Sequence, residues 1–459
     1  MLQLLVTISG VAPVLDEPIY LIRTGLLRKN DHWIPTQRTS SASYYNREQG
    51  KALKRSVVAI GILVLIVAVI SVIQLIRTPP LPSITTTMAS SQVIPGISPS
   101  LPWASQGASD IALVGVGSTG SHGQQGPIGL ASVAKIISAL VIIQDHPLSL
   151  GQSGPTLTVS PADVSTYQNM LAAQDSVMVV TSGETLSEYQ ALVALLVPSA
   201  DNVAIMLAKW DAGSTAAFVA KMNTTALRLG MTRSHYSDPS GLESSTQGTA
   251  PDQLIAAQAL LKNPVLSGIV SLPQATLPVA GVVFNVNALV GHDGITGVKT
   301  GSTPAGGNYV FSGTLTLPSI ASIPAAISAN PTVVGVVLGQ QGYTPLPSAL
   351  SAGQALLDAF RKVPEPVKVL SAGQVIGQIS APGQRNIPMV AKTTVTLIGW
   401  PTLSIHYTFE PKATLPSSFA NGYQVGVEVV SIGSEIAKVS VIANGVVKAP
   451  GLGWKLRRL

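Results

Sequence analysis

Cysteine is absent from the 459 residues of this chain, so neither a disulfide framework nor a thiolate zinc site can be built from it. That is compatible with an oxidising exterior but does not prove one. Charge is also scarce: Asp, Glu, Lys and Arg together make up 10% of the chain, while Gly and Pro number 42 and 33. This is the composition of an ordered protein with at least one membrane segment, and the length can hold two or three domains. The net charge of +6 comes from scattered basic residues without aromatic interleaving, which argues against a nucleic-acid partner. No His-Glu-x-x-His occurs among the six histidines, so zincin chemistry has no motif to rest on. No Gly-x-Ser-x-Gly occurs either, which removes the nucleophile elbow of an α/β-hydrolase.

Long apolar runs are few, and one stands out. Val57 to Ile76 is uncharged and mostly apolar, long enough to cross a hydrocarbon core. Arg47, Lys51, Lys54 and Arg55 precede it, with Arg23, Arg28, Lys29 and Arg38 further back, and after Arg77 the next lysine or arginine is Lys135. The positive-inside rule then predicts a cytoplasmic segment over 1–56, a transmembrane helix over 57–76 and everything later outside. The run lies too far in, and is too long, for a usual signal core. Met1 to Gly10 reads as neither a domain nor a signal. Residues 77–102, rich in Pro, Ser and Thr, read as an extended, partly stiff linker.

Chemistry enters with Ala131-Ser132-Val133-Ala134-Lys135. A serine and a lysine three residues apart share one helical face, so the amine can reach the hydroxyl as its base. The residues that follow, 136–143, are nearly all apolar, which predicts a buried helix and a lysine whose pKa falls by desolvation. Downstream come Pro198-Ser199-Ala200-Asp201-Asn202, inside a helical pattern over 188–209, and Gly297-Val298-Lys299-Thr300-Gly301-Ser302-Thr303, which reads as a strand. A strand pattern begins at Ile111. From Val367 to about Lys448 the period changes to two, with strands expected over 393–398, 404–409, 423–430 and 437–442. The basic end, Lys455, Arg457 and Arg458, reads as a solvated tail.

The three motifs, in this order, resemble those of the penicillin-binding and serine β-lactamase superfamily, and within it the low-molecular-mass D-alanyl-D-alanine carboxypeptidases of the S11 peptidase family. Gly183-Glu184-Thr185-Leu186, Leu229-Gly230-Met231-Thr232, the turn around Ser237-Asp238-Pro239-Ser240-Gly241-Leu242 and Asn285-Val286-Asn287 extend the likeness. It covers residues 102 to 315, and the C-terminal part more loosely. The resemblance implies an α/β (α+β) β-lactamase/transpeptidase-like domain over 103–363, with an antiparallel sheet flanked by helices. An all-β sandwich-like domain with the basic tail would follow over 364–459. It implies Ser132 as nucleophile, Lys135 as base and Ser199 as proton relay, with Lys299, Thr300, Gly301 and Ser302 binding substrate. Gly301 would leave room for a substrate strand, and Ser302 would give the second oxyanion N–H after that of Ser132. The substrate would be a peptidoglycan stem peptide ending in D-Ala-D-Ala, with β-lactams as covalent inhibitors and neither metal nor cofactor.

One position departs from the pattern. Where the family's middle motif carries Asn, this chain has Asp201, with Asn202 one place on; either could be the substrate-binding partner. A carboxylate at 201 accepts hydrogen bonds when ionised but cannot donate, and its charge favours the ammonium form of Lys135. Two rival readings follow: a catalytically weak peptidoglycan-binding or scaffolding homologue, and a β-lactamase of the same fold. The latter would need a deacylating glutamate, whereas Glu184 and Glu188 resemble the start of a helix.

Overall fold

The computed structural model describes residues 41–304, 306–316 and 331–457, as two units divided at Arg77/Thr78. In the first unit the helix Ser41–Ile76 includes Leu53–Ile76, a 24-residue stretch with an 18-residue window of mean hydropathy 3.2. At 1.5 Å per residue it is about 36 Å long, more than a hydrocarbon core of about 30 Å requires. The expected span over 57–76 lies inside it. The helix starts within the segment expected to be cytoplasmic, and residues 1–40, with Arg23, Arg28, Lys29 and Arg38, lie outside the described residues.

In the second unit an antiparallel sheet of six strands runs Ile295–Thr303, Gly306–Thr314, Thr332–Gln340, Ala108–Leu113 and Gly117–Ser118, with His122–Gly123 also paired to Ala108–Leu113. Its central strands are apolar on both sides because both faces are covered. Val334, Val336 and Leu338 enter one core, among helices that include Lys135–Asp145 and Ala250–Lys262. Val333 and Val337, pointing the other way, meet Leu356, Leu357 and Phe360 of the helix Pro345–Phe360 in a second core. That second core continues without a break into the C-terminal residues. Phe360 meets Trp400 edge to face at 5.5 Å, so the boundary expected at 363/364 is a change of architecture inside one packed body.

The C-terminal strands appear where period two placed them, as Val395–Gly399, Ser404–Pro411, Gln424–Ile432 and Glu435–Ala443, with Val375–Ser380 and Ile387–Ala391 added. Val395–Gly399 pairs with Glu365–Leu370 as a second, two-stranded layer. The short helix Leu452–Leu456 occupies part of the expected tail; Arg458 and Leu459 lie outside the described residues.

The expected linker over 77–102 is corrected by the structure. Ser83–Thr86 pairs with Val375–Ser380 at one edge of a seven-stranded sheet, and Ser91–Val93 pairs with Ser404–Pro411 at the other. Thr87 and Met88 donate to the Ile376 carbonyl, and Tyr407 donates to that of Ser90. A flat sheet of this width would hold its edges about 29 Å apart. The five Cα steps from 86 to 91 cover at most about 18 Å. The sheet therefore curls until one strap, 83–93, supplies the strands at both of its edges. β-branched Ile84, Thr85 and Thr86 suit this strand geometry despite the prolines before them.

Candidate active site

Ser132 was expected to open a helix; it stands instead in the 3-10 turn Ala131–Ala134, with Lys135 first in the α-helix that follows. Residues i and i+3 eclipse in a 3-10 turn, which sets Ser132 Oγ over Lys135 Nζ at 2.7 Å. Ala131 enters the turn at φ +48°. Asn308 holds that strained start: its Nδ2 donates to the carbonyls of Gly129 and Leu130 at 2.8 and 2.9 Å, and its Oδ1 accepts from Gly339 N. Gly301 lies opposite Asn308 in register. A Cβ there would come within 2.8 Å of Leu130 O and 3.1 Å of Ser132 N. Its missing side chain thus makes room for the serine turn.

The helical pattern over 188–209 is broken. Helices Glu188–Leu196 and Asp201–Ala212 are separated at Pro198, which lacks the N–H to continue the first, and Ser199 sits in the gap at φ +65°. The break turns Ser199 Oγ between two lysines, accepting from Lys299 Nζ at 2.9 Å and from Lys135 Nζ at 3.3 Å. Lys299 is buried on its strand and also donates to Thr300 O. Burial, and then the like charge of Lys135, lowers its pKa well below the usual lysine range, against the pull of Asp201. Thr300 Oγ1 is buried and has no hydrogen-bond partner among the described residues, a cost that a bound acceptor would remove. Ser302 is exposed at the end of the strand.

Asp201, not Asn202, reaches the lysine. Asp201 Oδ1 lies 2.5 Å from Lys135 Nζ, with the two side chains 2% and 0% exposed. Its Oδ2 accepts from Ser176 N, and its own N–H donates to Ser176 O. Asn202 is removed from the candidate substrate contacts: Oδ1 accepts from Met178 N at 3.0 Å and Nδ2 donates to Met178 O at 2.9 Å. One residue along a helix is about 100° of rotation, so neighbours cannot face the same cavity. Burial lowers the Lys135 pKa, opposed first by Asp201 and then by Asp238 and Asp175. Burial raises that of Asp201, opposed by Lys135.

Sequence reasoning missed Asn308, and also Asp175, whose charge acts on both members of the buried pair. Asp238 has a structural role, accepting from its own turn. Burial opposes its ionisation, but hydrogen bonds from the Ser240 and Thr246 hydroxyls and the Leu242 and Gly241 amides hold its carboxyl below the ordinary range. The turn so fixed aims Ser240 O at Lys135 Nζ, 3.2 Å away. Glu184 is tied to Thr181 N. Glu188 opens its helix eleven residues before Ser199, with its carboxyl pushed by burial up to about 7.

Residues 121–323 match the family model for Peptidase S11, D-alanyl-D-alanine carboxypeptidase. The chain is 32% identical over 182 residues to D-alanyl-D-alanine carboxypeptidase DacB2 of Mycobacterium tuberculosis, covering 38% of this chain and 58% of that protein. It is 29% identical over 224 residues to the D-alanyl-D-alanine carboxypeptidase of Streptomyces sp. strain K15, covering 45% and 71%. The match to DacB2 thus spans less than two thirds of that protein's length. In fold the chain is similar to penicillin binding protein 5 from Haemophilus influenzae (TM-score 0.52, 18% identity, 77% of this chain and 100% of that one). It is likewise similar to the carboxypeptidase DacD from Francisella tularensis (TM-score 0.53, 21% identity, 77% and 96%). The order of motifs, the sheet and the matched residues agree in making residues 121–323 of this chain similar to the peptidase domain of the S11 family, the D-alanyl-D-alanine carboxypeptidases.

Proposed function

We propose that the chain is a membrane-anchored serine-type D-Ala-D-Ala carboxypeptidase that removes the terminal D-alanine from peptidoglycan stem peptides and is acylated by β-lactams. The observation that carries this is the 2.7 Å contact between Ser132 Oγ and a lysine wholly shut from solvent. Burial favours the free amine, which is the form that can take the serine proton. Ser132 attacks the carbonyl of the penultimate D-alanine, and an acyl-enzyme forms as the terminal D-alanine leaves. Backbone N–H groups of Ser132 and Ser302 are the donors assigned to the oxyanion. Ser199, between the two lysines, passes the proton to the departing nitrogen. Lys299 and the unpartnered Thr300 hydroxyl suit a terminal carboxylate, the group an exopeptidase must recognise.

The test is D-alanine release from a pentapeptide stem, together with covalent capture of a fluorescent penicillin by the folded protein. Both are expected. Peptidoglycan binding with neither would favour the scaffolding reading; turnover of penicillin faster than D-alanine release would favour a β-lactamase.

The peptidase domain is assigned to 103–363 and the β-domain to 364–459 together with the strap. The apolar helix serves as the anchor, with 1–56 in the cytoplasm and the peptidase outside, on the strength of the basic flank. Protease added to the outer face of intact cells should spare the N-terminal segment and digest the rest. The reverse pattern would invert the topology.

A further inference from the structure

Asp201 has its side chain almost entirely closed off, so it is badly placed to bind substrate and well placed to act on its neighbour. Its carboxylate is aimed by two backbone bonds with a single residue, Ser176, and its free oxygen ends on Lys135 Nζ. Lys135 Nζ in turn touches Ser132 Oγ. The three groups form a chain of nucleophile, base and third group, in which the third orients the base.

We propose that Asp201 works through Lys135, orienting its amine toward Ser132 and stabilising the ammonium that forms during attack, so that the nucleophile is activated by three groups. This rests on the reading of Ser132 as nucleophile. As Oγ attacks, the Ser132 O–H bond breaks and its proton passes to the Lys135 lone pair. The new Oγ–C bond sends the carbonyl π pair to oxygen. The ammonium, closed off from water, lies against the Asp201 carboxylate until its proton leaves through Ser199 to the departing nitrogen. Asp201 is a positioning residue, since it touches neither substrate nor the reacting carbon.

The charges around the pair decide what its removal does. Asp175 and Asp238 also favour the ammonium form, while Lys299 disfavours it. Replacing Asp201 by Asn keeps the shape and removes the nearest anion. The base then stays unprotonated at lower pH, but each proton transfer at saturation loses its stabilising partner. The sequence alone suggests only the first effect, a gain; the closed geometry adds the second.

The experiment is the pH profile of penicillin acylation for the full-length protein and its Asp201→Asn variant in detergent micelles. The variant should lose about tenfold or more on the high-pH plateau, and its acid limb should move down by about one pH unit or more, so that the two curves cross. A curve lowered without a shift would mean a merely structural role and overturn the proposal. A shift without plateau loss, or no change at all, would overturn it equally. Should the variant not fold, NMR of the wild-type chain with labelled Lys Nζ and Asp carboxyl carbons decides: Lys135 and Asp201 should move with a common midpoint. An Asp201 signal that stays still while Lys135 titrates overturns the proposal. If wild-type protein takes up no penicillin, it is the nucleophile reading that has failed, and the NMR coupling still reports on the pair.

Discussion

Ser132→Ala should reduce both D-alanine release and penicillin capture to background, a fall of about 10⁵-fold or more, while the protein melts nearly as before. The hydroxyl's one side-chain partner among the described residues is Lys135, and a hydrogen bond of this kind contributes about 1 kcal/mol. Lys135 keeps Asp201, Ser199 and the Ser240 carbonyl around its amine, so the buried nitrogen is not orphaned by the change. Residual labelling of the variant would point to another nucleophile, and Ser199, the other hydroxyl in contact with Lys135, would be the first to examine.

Gly241→Ala should also slow acylation, by about 100-fold, although the glycine does no chemistry. Gly241 has φ +92°, and a Cβ there would overlap the carbonyl of Ala131, immediately before the nucleophile. The left-handed conformation alone costs about 1–2 kcal/mol. Relief of the overlap costs more, because the Asp238 carboxylate holds the amides of Ser240, Gly241 and Leu242 together. The Ser132 turn is then the part that yields, and a displacement of about 1 Å costs about 100-fold in rate. Gly230→Ala isolates the backbone term, since Gly230 has φ +88° with nothing among the described residues within 4 Å of its added Cβ. Gly230→Ala should lose stability but keep most of its acylation rate. Equal acylation by Gly241→Ala and wild type would show that this turn does not hold the serine in place.

The residues that meet in the candidate site were legible in the sequence because each motif is compact: Ser132 and Lys135 share one turn, and Lys299 to Ser302 share one strand. What could not be read is what touches what across the fold. Asn308 carries no motif and matters only because its strand register sets it beside Gly129 and Leu130. The approach of the serine turn to Gly301 likewise has no sign in the sequence around either. Pro198 gave a local sign of the break at Ser199, yet the apolar run on either side masked it. The choice between Asp201 and Asn202 depended on which way the second helix is rotated, which is set by Ser176 and Met178 more than twenty residues earlier. The strap was the least legible element, since its partners lie about three hundred positions later and its few residues have no period of their own.

Those distant partners have a consequence for how the molecule is made. The β-domain takes two of its strands from before the peptidase domain and the rest from after it, so the peptidase is an insertion within the β-domain. A ribosome delivers the strap first and its pairing edges last. The peptidase sheet, complete once Gln340 is out, can close while Ser83–Thr86 and Ser91–Val93 wait unpaired. Loop closure over such a separation is slow and leaves strand edges open meanwhile. A chain cut short after the peptidase would keep every residue named in the candidate active site and still carry a strap with nothing to join.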